Sequence, residues 1–185
     1  MDKLVDQAEC IYDRASIDAA LDTIATEITQ QLSEHKPLVL CVLHGGLIFT
    51  GHLLTRLSFP LQQDYIHASR YGGLTAGEGL KWLAPPHESL QDRTVLLLDD
   101  IFDQGHTLQA IRDYCLASGA RAVYSAVLLI KNHTREKSDM RPDFVGLEVD
   151  DRYVFGFGMD YECLWRNANG IYAISPAAEE ETTGG

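Results

Sequence analysis

The stretch RTVLLLDDIFDQGHTL, residues 93–108, places two adjacent aspartates, and a third three positions on, directly after an apolar run. Carboxylates packed that closely repel one another unless a cation or hydrogen-bond donors sit among them. The chemistry these residue types suit is the holding of a polyol, a metal or both. Gly105, His106 and Thr107 then lead into helix-type sequence. A helix N-terminus offers free N–H groups and the positive end of its dipole to a phosphate, and a glycine there lets the backbone approach closely. One turn can therefore take both ends of a ribose phosphate. The carboxylates take its hydroxyls, the N–H groups its phosphate, and Thr107 adds a hydroxyl donor.

Other uses of clustered aspartates fit less well. DDIFD matches the Asp-Asp-x-x-Asp pattern that holds magnesium diphosphate in isoprenoid synthases. That pattern belongs inside a helix of an all-helical fold, with a second aspartate-rich helix opposite. Here strand-type residues precede it, Gly105 follows closely, and no second such helix exists. A calcium-binding EF-hand needs Glu at its twelfth position, and counting from Asp99 or Asp100 that position is Ala110 or Ile111. Helix caps or solvated strand ends remain the bland alternative, but they do not explain three carboxylates on one turn.

The elements that must position this turn are legible as an alternation. Residues 16–33 carry Ile17, Leu21, Ile24, Ile28 and Leu32 at helical spacing. PLVLCVL (37–43) reads as a buried strand, followed by HGG and then LIFTGHLLTRL as a helix. TVLLL (94–98) is a second buried strand, with Asp99 and Asp100 at its carboxyl end and a helix over Thr107–Ala117. AVYSAVLLI (122–130) is a third. Strands apolar on both faces, alternating with helices, imply an α/β fold: a parallel sheet flanked by helices. In such sheets ligands bind beyond the carboxyl ends of strands. Residues 72–88, with four glycines and two prolines, read as a long loop of the lid or binding-loop kind. DFVGLEV, YVFGFGM and IYAI read as short strands, so residues 143–174 are expected to form most of a small C-terminal hood. The expectation is one domain over 1–175 and a disordered acidic tail over 176–185.

The chain has 185 residues, 45% hydrophobic and 23% charged, with a net charge of −12. That balance speaks against nucleic-acid or anionic-membrane partners, though a local basic pocket is allowed. Cys10, Cys41, Cys115 and Cys163 form no C-x-x-C pair and read as reduced thiols of a cytoplasmic protein. No apolar run reaches the length of a membrane span, and MDKLVDQAEC does not read as a signal peptide.

VLLLDDIFDQGHTL (95–108) resembles the phosphoribosyl pyrophosphate signature of the type I phosphoribosyltransferases. VLCVLHGG (39–46), SRYGG (69–73) and RPDFVGLEVDDRYVFGFGMDYECLWRN (141–167) resemble, in the same order, the hypoxanthine-guanine branch of that family. The likeness runs from about residue 10 to 174. It implies a purine-salvage enzyme that transfers phosphoribosyl from phosphoribosyl pyrophosphate to hypoxanthine or guanine. The products would be IMP or GMP and diphosphate, with Mg2+ as cofactor. It also implies a homo-oligomer, dimer or tetramer, with no nucleic-acid or membrane partner.

The resemblance implies roles as well. Asp99 and Asp100, where the family usually has Glu-Asp, match the pair on the ribose hydroxyls. Asp103 matches the general base or acid facing the purine. Gln104, Gly105, His106 and Thr107 match the 5′-phosphate loop, whose second residue is usually Thr or Ser. His44, often Lys in the family, and Gly45 match the diphosphate loop, where the peptide can be cis. Lys131 matches the donor to the 6-oxo group, Tyr153 the stacking aromatic, and Val154 the residue whose backbone reads the purine edge. Asp160 matches a magnesium-linked carboxylate, acting with Asp99 and Asp100 at the metal. Arg166 matches a diphosphate ligand, with Arg135 assisting nearby. Ser69 and Tyr71 match the Ser-Tyr pair of a closing lid. The residues alone leave ordinary alternatives open: a solvated Lys131, a core Tyr153, a strand-end His44, a plain loop at 69–73. A non-catalytic nucleotide-sensing regulator on the same fold, or a phosphoribosyltransferase for adenine or a pyrimidine, are the rival functions.

Overall fold

A computed structural model describes residues 8–69 and 81–174. In chain order the elements are β1 (Glu9–Tyr12), α1 (Arg14–Leu32), a 3-10 turn (Ser33–His35), β2 (Leu38–Leu43), α2 (Gly46–Leu54), β3 (Gln62–Ser69), β4 (Lys81–Ala84), β5 (Thr94–Phe102), α3 (His106–Ala117), β6 (Ala122–Asn132), β7 (Phe144–Asp150), β8 (Val154–Phe155) and β9 (Ile171–Ala173). A six-stranded sheet has the order β4-β3-β2-β5-β6-β7. Its strands run parallel except β4, which is antiparallel to β3.

The central strands are apolar on both faces because both faces are covered. Val39, Leu96, Leu98, Ala126 and Leu128 pack with Ile17, Leu21, Ile24 and Ile28 of α1 and with Phe49 and Leu53 of α2. The alternate residues Leu38, Leu40, Val42, Val95, Leu97 and Val127 pack with Leu108, Ile111 and Cys115 of α3. This is the period-two alternation of a strand, with apolar residues at both phases. Asp13 caps α1, accepting from the Ser16 backbone N–H at 2.9 Å.

The sheet also creates the crevice. From β2 the chain crosses over α2 to β3 on one side, and from β5 it crosses over α3 to β6 on the other. The order thus reverses between β2 and β5, the place where open parallel sheets bind ligands. Cys41 and Leu98 are the last paired residues of these two strands. Beyond them β5 stays with β6 while β2 stays with β3.

Four expectations are corrected. The second buried strand does not end at Leu98. It continues to Phe102, held by β6 through Asp99 opposite Val127 and Phe102 opposite Ile130, so the aspartate pair lies within the strand. Residues 81–84 are not loop, because the free edge of β3 recruits them as β4. DFVGLEV is not hood. It pairs with β6 from Phe144 to Asp150, and Phe144 and Val149 face one core while Val145 faces the other. The small second sheet is instead β1-β9-β8, with the N-terminal strand ECIY antiparallel to β9. The expected tail over 176–185 and most of the expected lid, including Tyr71, lie outside the described residues, as does the Ser69 side chain. Among the described residues, no helix is long and apolar enough to cross a membrane.

Candidate active site

A cavity of about 260 Å³ opens at the carboxyl ends of β2 and β5, lined by Val42, Leu43, Ala68 and the run from Asp99 to Leu108. Every predicted sugar-phosphate residue, Asp99, Asp100, Asp103, Gln104, Gly105, His106 and Thr107, therefore lies on one wall. Gly105 adopts φ +80 and precedes the first turn of α3, so the turn needs glycine. The Gln109 N–H donates to the Gly105 carbonyl at 2.9 Å, which leaves the amides before it without helical partners. The Ser138 N–H, at 2.8 Å from the Gln104 carbonyl, pins the turn from the far side.

Asp100 is 7% exposed and Asp99 is half-buried. Desolvation pushes both carboxyls above the usual carboxylate range, Asp99 well above it, with Asp100's charge adding to the push on Asp99. Their backbone support is local: Asp99 Oδ1 accepts from the Asp100 N–H at 3.0 Å and Asp100 Oδ1 from the Ile101 N–H at 2.8 Å. Two buried acids without a cation fit a site that receives one.

The opposite wall is built by close backbone approach. The Leu43–His44 peptide is cis. A β-carbon at Gly45 would overlap the Asp100 carboxylate, and one at Gly158, where φ is +112, would overlap the Gly45 carbonyl. The segment after β2, the end of β5 and the turn after β8 are thus in contact because two glycines lack side chains. The exposed His44 ring meets His67 edge-on, with centroids 4.3 Å apart. Desolvation, then the proximity of His44, pushes the His67 ring below its usual range.

Arg166 fastens the 156–166 segment. Its Nη1 donates to the Gly158 carbonyl at 2.6 Å and its Nη2 meets Asp160 Oδ1 at 2.6 Å. Asp160 Oδ2 accepts from the Cys163 N–H at 2.9 Å. The expected metal set of Asp99, Asp100 and Asp160 is therefore not gathered. Among the described residues no three acidic, His or Cys side chains cluster closely enough to hold an ion.

The predicted base-side residues lie apart from that cavity. Lys131 is the penultimate residue of β6, opposite Val149, and its carbonyl accepts from Lys137 Nζ at 2.7 Å. Tyr153 is 46% exposed and its hydroxyl donates to the Asp160 carbonyl at 3.3 Å. Val154 is buried in β8. Asp103 links the two parts. Its Oδ1 meets Arg135 Nη2 at 3.0 Å and His133 Nε2 at 2.7 Å. No motif singles out His133. Its one signal is its place two residues after Lys131, just past the strand next to the aspartate turn.

The phosphoribosyl transferase domain family matches residues 7–162. A hypoxanthine-guanine phosphoribosyltransferase of Bacillus subtilis is 31% identical over 176 residues, 95% of this chain and 97% of that one. A hypoxanthine-guanine-xanthine phosphoribosyltransferase of Tritrichomonas foetus is 28% identical over 88% of each chain. The solved hypoxanthine phosphoribosyltransferase of Staphylococcus aureus superposes with a TM-score of 0.88 at 25% identity, covering 96% of this chain and 97% of that one. With the parallel sheet, the crevice between β2 and β5 and the aspartate turn at its mouth, this chain belongs to the type I phosphoribosyltransferases, in their hypoxanthine-guanine branch.

Proposed function

We propose that the protein transfers the phosphoribosyl group of phosphoribosyl pyrophosphate to a 6-oxopurine, hypoxanthine or guanine. A purine ring nitrogen forms the new bond to the anomeric carbon, the bond from that carbon to diphosphate breaks, and Asp103 takes the proton the purine loses. One observation carries the reading: a single turn holds the carboxylates at one end of a cavity and the open N-terminus of α3 at the other.

Roles follow from the chemistry of each group. Asp99 and Asp100 receive the ribose hydroxyls, and the amides of Gly105, His106 and Thr107 receive the 5′-phosphate. The backbone of His44 and Gly45 and the guanidinium of Arg166 face the diphosphate. Asp99 and Asp100 would hold a magnesium ion, which would supply charge neutralisation for the leaving diphosphate. Lys131 donates to the 6-oxo group, Tyr153 stacks on the ring and the Val154 backbone reads its edge. Ser69 and Tyr71 belong to a lid that keeps water from the sugar cation. Catalysis is then mainly positioning and charge stabilisation, with one proton moved.

The test is a base panel assayed with phosphoribosyl pyrophosphate and magnesium, wild type against Lys131→Gln. An ammonium is donor-only and suits a 6-oxo group. Adenine would set donor against donor, and a closed site that leaves polar groups unpaired rejects by on the order of 10⁴ or more. Hypoxanthine and guanine should be substrates and adenine effectively not. Lys131→Gln should narrow the gap, mainly by weakening the oxopurines. Adenine used within about tenfold of hypoxanthine would defeat the 6-oxopurine assignment.

A further inference from the structure

We propose that His133 is a positioning residue for the proton-accepting carboxylate of Asp103, a role that rests on the transfer reaction above. β5 and β6 run in parallel with Phe102 opposite Ile130, so the residues just past their ends are neighbours. Asp103 follows the first strand and His133 the second. The His133 side chain is 1% exposed, and its Nε2 stands 2.7 Å from Asp103 Oδ1. Arg135 Nη2 reaches the same oxygen at 3.0 Å and also holds Asp151 at 2.6 Å. Both cationic or donor groups thus use Oδ1, and Oδ2 is the oxygen committed to neither.

The ring is not placed as a packing residue would be. Neither Nδ1 nor Nε2 has an aligned hydrogen-bond partner, because the short approach to Asp103 lies off the N–H direction. Buried polar atoms are nearly always paired, so an imidazole enclosed this way costs stability without returning it through the fold. What it touches is the one carboxylate the reaction needs as a base. An imidazole carrying its proton on Nε2 has a donor within reach of Oδ1, and a donor to a carboxylate oxygen supports its ionised form. With its side chain 1% exposed, His133 would act on the purine only through Asp103. Around the pair the other charged groups are Arg135, Lys131 and Lys137 at the end of β6, Asp151 after β7 and His106 at the head of α3. Of these, Arg135 reaches Asp103.

The experiment compares wild type, His133→Phe, which keeps bulk and removes the donor, and His133→Gln, which keeps a donor. Three quantities are read: kcat, KM for phosphoribosyl pyrophosphate, and the acidic limb of the pH profile of kcat/KM for hypoxanthine. Thermal denaturation checks folding. His133→Phe should lose roughly tenfold or more in kcat, with the KM for phosphoribosyl pyrophosphate kept and the acidic limb moved to higher pH. His133→Gln should recover most of both. Full activity and an unmoved limb in a folded His133→Phe would overturn the role. So would equal losses in Phe and Gln variants with a raised phosphoribosyl pyrophosphate KM, since that marks a structural part. Absence of any transfer by wild type would instead defeat the reaction itself. The ring nitrogen signals of His133 by NMR give a readout independent of turnover: they should respond to Asp103→Asn, and no response would mean the contact is not made.

Discussion

Asp99 and Asp100 are held under conditions opposite to those of Asp103, on the same cavity wall, and of Asp160, on the 156–166 segment. The first pair lies at the end of β5, where the backbone N–H groups of the next residues and a carboxyl–carboxyl hydrogen bond support it, the Arg166 charge reaches Asp100, and desolvation still pushes both toward the protonated form. The second two have cationic or imidazole partners: His133 and Arg135 for Asp103, Arg166 for Asp160. The difference divides the labour. Carboxylates already neutralised by the protein can hold a fixed orientation and handle a proton or brace a loop. Carboxylates still pushed toward protonation suit charge from outside, which a magnesium ion arriving with a polyphosphate would supply. An acidic chain that binds an even more acidic substrate needs such a device.

The largest effect should come from removing the outside charge. In excess chelator, activity is expected to vanish, and magnesium or manganese should restore it. Full turnover in chelator would mean the buried pair needs no cation and would break the contrast. Next is the partnered acid. Asp103→Asn keeps shape and hydrogen bonds but not the proton acceptor, and general bases contribute roughly 10²–10⁴-fold. Turnover should fall by that order with ribose-phosphate affinity largely kept. Near-wild-type turnover in a chemistry-limited step would remove Asp103 from the role. Smaller again is Gly158→Ala. The position has φ +112 and its new β-carbon would overlap the Gly45 carbonyl, so the turn after β8 must move away from the aspartate pair. A denaturant midpoint should record a loss of more than about 1 kcal/mol, with a raised KM for phosphoribosyl pyrophosphate. An unchanged midpoint would show that the two loops are not packed together.

The aspartate wall was legible because it is local. Strand, carboxylates, glycine and helix start follow one another in fourteen residues, VLLLDDIFDQGHTL, and each signal is a short-range one. The opposite wall was not legible as geometry, because it is assembled from distant segments. Nothing in residues 44–46 or 156–158 says that their backbones touch, and Gly45 and Gly158 explain themselves only once they do. The strand ECIY escaped for a related reason: four residues carry no periodicity, and its partner β9 lies at the other end of the chain. The run 143–150 looked like hood because alternation names a strand and not its sheet. His133 illustrates the same limit, since its meaning depends on the register of β5 against β6.

The smallest effect concerns stability alone, and it tests whether the buried pair is uncompensated in the first place. Burial, and then the Asp100 charge, holds the Asp99 carboxyl well above its ordinary value. An acid with a raised folded-state pKa binds more protons in the native than in the unfolded state between the two values. Stability therefore falls as pH rises through that interval, and the full penalty stands above the folded-state value. Asp99→Asn removes the penalty without emptying the site. In chelator, its denaturant midpoint should exceed that of wild type near pH 7 to 8, and the gap should close toward pH ~4, where the unfolded carboxyl also protonates. Magnesium alone should narrow the gap at neutral pH by stabilising wild type preferentially. A midpoint difference that stays the same from acid to neutral pH would mean that Asp99 is not under electrostatic stress, and the contrast between the two sets of carboxylates would then rest on orientation alone.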